Sequence, residues 1–185
     1  FEVISPDDAS AMFDLLTYEK GGAVLRMLEQ YVGENSFRDG IRSYLNRHEF
    51  ANTETSDLWD SIEEFSSIPV RDTMNTWILQ PGFPRLKFSN NNNFIQIDQE
   101  TFKYDNLDND FSWNVPVEIV SDKKNQKLLL TKNNFKTDIK INDFIYGNLN
   151  SNGFYRSEYS EEILVNQIFN NLNNLNELEK FSLVD

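Results

Sequence analysis

The sequence predicts a multidomain α+β chain in three pieces: helices over residues 1–84, an antiparallel β-sandwich over 85–159, and the opening of a second α-helical unit over 160–185. Apolar residues recur at helical spacing as far as Ile78. From Arg85 they alternate one by one, and after Tyr159 the helical spacing returns.

Ser5-Pro6-Asp7-Asp8 is a helix-start signal, with a capping hydroxyl, Pro at the first helical position and acids where the helix dipole favours them. Over Tyr18 to Val32, residues Val24, Leu25, Leu28, Tyr31 and Val32 fall on one helical face, and Gly33 closes that helix. Asn35 or Ser36 opens the next, with Phe37, Ile41, Tyr44 and Leu45 on one side. Ser56 opens another through Leu58, Trp59, Ile62 and Phe65. Pro69 begins the last of the series through Met74, Trp77 and Ile78, which Gln80-Pro81-Gly82-Phe83-Pro84 stops. A boundary at Gln80 to Arg85 should separate two largely independent cores.

Strands are predicted around Leu86 and Phe88, then Phe94 to Ile97 after an Asn-rich turn at Asn90 to Asn93. More follow at Trp113 to Val120, Lys127 to Leu130, Asp138 to Ile141 and Tyr155 to Tyr159. Pro116 has no N–H for a ladder, so its strand should be an edge or bulged there. Beyond Tyr159, Ile163, Leu164, Ile168, Leu172 and Leu175 read as helix, and Asn176 with Glu179 as a capping box for one more.

Composition excludes several function classes. A formal charge of −13 and an isoelectric point near 4.5 repel phosphate backbones, which argues against nucleic-acid binding. No run approaches the ~20 apolar residues of a membrane-spanning helix. The absence of cysteine excludes disulfides and thiolate catalysis, and fits a cytoplasmic protein.

Chemistry-bearing clusters are sparse. A metal centre needs about three protein ligands, and the chain has one histidine, His48, placed near a helix C-terminus where a cation suits the last carbonyls. No Gly-x-Ser-x-Gly elbow accompanies His48, and Lys20-Gly21-Gly22 lacks the spacing of a phosphate loop. Glu63-Glu64 and Glu161-Glu162 are adjacent on helices, so their carboxylates diverge by about 100° and read as solvated faces.

Function enters through resemblance. The run Phe13-Asp14-Leu15-Leu16-Thr17-Tyr18-Glu19-Lys20-Gly21-Gly22-Ala23-Val24-Leu25-Arg26-Met27-Leu28 resembles the segment of thermolysin-like (gluzincin) zinc aminopeptidases that carries their catalytic tyrosine. Three later runs keep that family's order. Asp57-Leu58-Trp59 followed by Met74-Asn75-Thr76-Trp77-Ile78-Leu79-Gln80-Pro81-Gly82-Phe83-Pro84 is similar to the end of its catalytic domain. Trp113-Asn114-Val115-Pro116-Val117 is similar to a strand of its β-sandwich. Asn148 with Gly153-Phe154-Tyr155-Arg156 and Tyr159 resembles the junction into its C-terminal helical domain. The likeness is to the aminopeptidase N and puromycin-sensitive aminopeptidase family, closest in kind to its archaeal tricorn-interacting-factor branch. Gly22 departs from the family's usual Ala or Ser, and Ser157 from its usual Val.

The resemblance implies that residues 1–84 are the C-terminal helices of a thermolysin-like catalytic domain. It also implies a parent enzyme that uses one zinc ion to remove N-terminal residues from peptides bearing a free N-terminus. The zinc ligands of the family, H-E-x-x-H and a Glu on the next helix, would precede Phe1. The chain is therefore expected to be an interior piece, without zinc ligands and inactive alone. Tyr18 is the one catalytic residue that the likeness carries over. Negative charge develops on the carbonyl oxygen under attack, and a phenol, whose ordinary pKa is about 10, stays protonated near neutrality and can donate to it. Lys20-Gly21-Gly22 is expected to let the helix start pack closely against neighbouring backbone. The rival reading is a noncatalytic peptide-binding or scaffold relative whose zinc motif has decayed. An intact upstream H-E-x-x-H would decide for the enzyme.

Overall fold

The computed structural model describes residues 5, 7, 15–103, 111–121, 125–141 and 143–184. The expected helix start at Ser5-Pro6-Asp7-Asp8 lies for the most part outside the described residues. Helices α1 (Leu15–Val32), α2 (Glu34–Arg47), α3 (Thr55–Glu63) and α4 (Val70–Ile78) come first. Gly33 separates α1 from α2 with φ 92°, a conformation that costs a residue without Cβ little. Its N–H donates to Glu29 O at 2.9 Å, and its own carbonyl accepts from Phe37 N–H at 3.0 Å. One residue thus closes one helix and opens the next, so α2 begins at Glu34, ahead of the expected Asn35 or Ser36. Helix α3 likewise starts at Thr55, because Asp57 reaches back to accept the Glu54 N–H at 2.8 Å. Pro69 precedes α4 as expected.

Seven strands follow among the described residues: β1 (Pro84–Asn91), β2 (Phe94–Thr101), β3 (Val115–Ser121), β4 (Gln126–Leu130), β5 (Asn134–Lys140), β6 (Ile145–Tyr146) and β7 (Arg156–Tyr159). They form one sheet ordered β5-β2-β1-β7 and another ordered β4-β3-β6. The β1–β2 hairpin closes through Asn92 and Asn93, both at positive φ (54° and 67°), with Asn91 opposite Phe94. Two left-handed residues match the strand twist, and Asn tolerates that region better than most side chains.

The expected all-antiparallel arrangement needs one correction: β1 and β7 pair in parallel, Arg85 opposite Arg156 and Phe88 opposite Tyr159. A parallel pair requires a crossover, and here the chain traverses β2 to β6 before β7 returns beside β1. Pro116 sits on the middle strand of its sheet, not an outer one. Strand β6 pairs only with Val120 and Ser121, so beside Pro116 the ladder has a single neighbour, Leu129 on β4. The missing N–H is tolerated for that local reason.

The expectation of separate cores is also corrected. Buried side chains from Val24 and Leu28 through Trp77, Phe88 and Ile97 to Val117, Ile163 and Leu175 form one continuous cluster. Trp77, fully buried on α4, bridges the junction: its ring lies 6.0 Å from that of Trp113 and 6.2 Å from that of Phe154. A side chain of this area buries against both layers at once.

After β7 the chain turns helical through α5 (Glu161–Ile163), continues as a π-helical turn (Leu164–Ile168) and a 3-10 stretch (Phe169–Asn174), and ends in α6 (Glu177–Phe181). The capping box forms as expected: Asn176 Oδ1 accepts from Glu179 N–H at 3.0 Å, and the Glu179 carboxylate accepts from Asn176 N–H at 2.9 Å. No helix among the described residues is long and apolar enough to cross a membrane.

Candidate functional site

Tyr18 lies near the start of α1 with 62% of its surface exposed. Lys20 follows two residues later, about 200° around the helix, so the two side chains leave on opposite sides. Lys20 turns inward. Its Nζ donates to Gln80 O at 2.9 Å, and burial lowers its pKa from the usual lysine value. Val24, Met27 and Leu28 continue that inward face and are buried.

Gln80 is itself fixed. Its Nε2 donates to Thr76 O at 2.8 Å and to Ser112 O at 3.0 Å. Next to it, Thr76 Oγ1 accepts from Asn114 N–H at 3.0 Å and Trp77 Nε1 donates to Asn114 O at 2.9 Å. The end of α4 is thereby stitched to the segment entering β3, and Lys20 joins the start of α1 to that stitch. At the other end of α1, Lys127 Nζ donates to Gln30 O at 3.0 Å and Tyr31 O at 3.4 Å, where a cation suits the carbonyl end of the helix. Lys127 also pairs with Glu118 at 2.5 Å. Tyr18 thus projects from a helix tied at both ends.

The expected role of the glycines after Lys20 is not met. A Cβ built on Gly21 or Gly22 touches nothing within 4 Å among the described residues, because this side of α1 faces outward with Tyr18. Close approach occurs elsewhere: a Cβ at Gly147 would lie 2.1 Å from Phe88 Cζ, and one at Gly153 would lie 2.1 Å from the Tyr155 ring. Asn148 Oδ1 accepts from Gly153 N–H at 2.8 Å, closing this turn.

His48 follows the last turn of α2, with its N–H donating to Tyr44 O at 3.2 Å and its ring 5.4 Å from that of Tyr44. Among the described residues no three His, Cys, Asp or Glu side chains come together where a metal ion could be held. Glu64 forms a two-pronged pair with Arg47, both contacts at 2.6 Å, and this hydrogen bonding holds its carboxyl below the usual range. Glu63 accepts from Arg71 N–H at 2.9 Å, and Glu162 from Asn90 at 3.3 Å. These acids make surface pairs and do not converge on a common point.

The four separated sequence runs converge. Met27 Sδ accepts from Phe154 N–H at 3.4 Å, the Phe154 ring is tilted against that of Trp77, and Trp77 lies beside Trp113. Sequence reasoning did not single out Gln80, Thr76 and Asn114 as the polar link between α1, α4 and β3; a lone Gln ahead of Pro carries no signal of a partner 60 residues away.

Residues 1–77 match the peptidase family M1 domain. The chain is 35% identical over 184 residues to a tricorn protease-interacting factor F2 of Thermoplasma volcanium, covering 100% of this chain and 23% of that protein. It is 33% identical over 187 residues to a leucyl aminopeptidase of Saccharolobus solfataricus, covering 99% of this chain and 23% of that protein. It is 33% identical over 170 residues to a glutamyl aminopeptidase of Bos taurus, covering 85% of this chain and 18% of that protein. The chain therefore spans roughly a fifth to a quarter of the length of these relatives.

Proposed function

From the premise that the chain belongs to the M1 peptidase family, we propose that it forms part of an aminopeptidase in which Tyr18 donates a hydrogen bond to the oxygen of the peptide carbonyl under attack. The observation carrying this reading is the placement of Tyr18: an exposed phenol on a helix whose two ends are tied down by Lys20 and Lys127. A donor aimed at charge that appears only in the transition state accelerates the reaction if it is held in place beforehand. The substrates are peptides with a free N-terminus, in keeping with the aminopeptidase names of the relatives.

The zinc ion implied by the family likeness has no fitting residues in the described part of the chain. The chain's own contribution to the reaction is the Tyr18 donor, and the isolated 185 residues are proposed to be inactive. We further take 1–84 as the helical end of a catalytic domain, 85–159 as a β-sandwich and 160–185 as the start of a helical domain. In support of the last, the stretch after β7 is apolar on both sides: Ile163, Ile168 and Leu175 are buried, while Val165, Phe169, Leu178 and Phe181 are exposed. A cytoplasmic setting accords with the absence of cysteine. Replacing Tyr18 by Phe in a chain of the relatives' full length, with kcat and KM measured on an amino-acid anilide, tests the central assignment.

A further inference from the structure

We infer that Lys20 is a positioning residue for Tyr18: its bond to the Gln80 carbonyl sets how α1 is rotated about its axis, and so where the phenol is held. This rests on the catalytic reading of Tyr18 given above.

How a helix is rotated about its axis is set by the side chains that pack or bond on its inward face. Among the α1 side chains whose burial is described, the buried apolar ones begin at Val24, one turn beyond Lys20. The 2.9 Å bond from Lys20 Nζ to Gln80 O is made two residues along the helix from Tyr18, whereas Val24 is six residues away. Gln80 is a rigid place to attach, because its side chain is bound to both Thr76 O and Ser112 O. Lys20 is half-buried, and removing its ammonium leaves the Gln80 carbonyl without that donor. Because residues two apart on a helix point about 200° away from each other, an inward Lys20 presents Tyr18 outward, and any rotation at Lys20 is passed to Tyr18 undiminished. Misplacement of a reacting group by about 1 Å can cost on the order of 10²-fold in rate.

The experiment is a double-mutant cycle in a chain of the relatives' full length, combining Lys20→Met with Tyr18→Phe, with kcat, KM and melting temperature measured for each. The positioning role predicts that Lys20→Met lowers kcat by roughly 10-fold to 100-fold with KM within about threefold. In the Tyr18→Phe background, where no hydroxyl remains to be positioned, the same substitution should lower kcat by less than about threefold. Lys20→Arg, which keeps a charged donor, should restore most of the rate. An equal loss in both backgrounds overturns the inference, because Lys20 would then act on the fold generally, and so does an unchanged kcat in Lys20→Met. If Tyr18→Phe alone keeps full kcat, the catalytic reading and this inference fall together. A Tyr18→Phe defect with no Lys20 effect removes the inference only. Should Lys20→Met not fold, Lys20→Gln run in both backgrounds reads out the same comparison.

Discussion

Tyr155 donates its hydroxyl proton to the carbonyl oxygen of Gly147 at 2.7 Å, well inside the fold. The N–H of the same glycine donates to Tyr159 Oη at 2.9 Å. Two side chains four residues apart thus satisfy both polar groups of one backbone unit, against which the Phe88 ring is packed. Buried backbone groups need partners, so each hydroxyl matters more than an exposed one would. Tyr155→Phe and Tyr159→Phe are each expected to destabilise the chain by about 1–3 kcal/mol, read as a lower midpoint in urea with an unchanged slope. A midpoint within error of the wild type would show that water replaces the lost partner.

Alkaline sensitivity follows from the same residues. Burial raises the pKa of Tyr155 and Tyr159, and burial likewise raises that of Tyr146, whose hydroxyl donates to Glu179 O at 3.3 Å. The folded-state values lie above the unfolded value of about 10. Their contribution to stability is therefore fully present below about pH 10 and is lost as the pH rises through the folded values. Melting temperature should decline above about pH 10, and the decline should shrink in Tyr159→Phe. A flat profile to pH 11.5 would contradict the burial of these phenols.

Two glycines should respond oppositely to alanine. At Gly22, inside α1 with no described residue within 4 Å of where a Cβ would go, Gly22→Ala should stabilise the chain by about 0.5–1 kcal/mol, because it removes the entropy cost of a helical glycine. At Gly147 the added methyl would meet the Phe88 ring at 2.1 Å, and Gly147→Ala should cost about 1–3 kcal/mol or more. Thermal melts of the two variants side by side make the comparison. A stabilised Gly147→Ala would mean that Phe88 moves aside freely.

For Tyr18→Phe in a chain of the relatives' full length, the loss of one oxyanion donor is expected to lower kcat by on the order of 10²–10³, roughly 2.7–4 kcal/mol. KM should stay within a few-fold, because the ground-state carbonyl carries little charge. Metal content and melting temperature should match the parent, since the side chain is 62% exposed and the ring is retained. A near-normal kcat would end the assignment.

Residues whose structure depends on near neighbours were legible in the sequence. The periodicity of Val24 and Leu28 placed α1, the Asn-rich run from Asn90 to Asn93 placed the first hairpin, and Asn176 with Glu179 placed α6. Each is stabilised within a few residues, so the local pattern suffices. Strand β6 was not legible, because two residues are too few to alternate. Nor was the parallel pairing of β7 with β1, which depends on how the intervening chain returns. Tyr18 is proposed through family likeness, and no spacing or charge pattern would have marked it. The meeting of Met27, Trp77, Trp113 and Phe154, and the bond from Lys20 to Gln80, were decided by the tertiary structure alone. Nothing in the local composition specifies a partner far along the chain. Such partners are selected when large side chains fill a shared core and half-buried donors take the carbonyl left within reach.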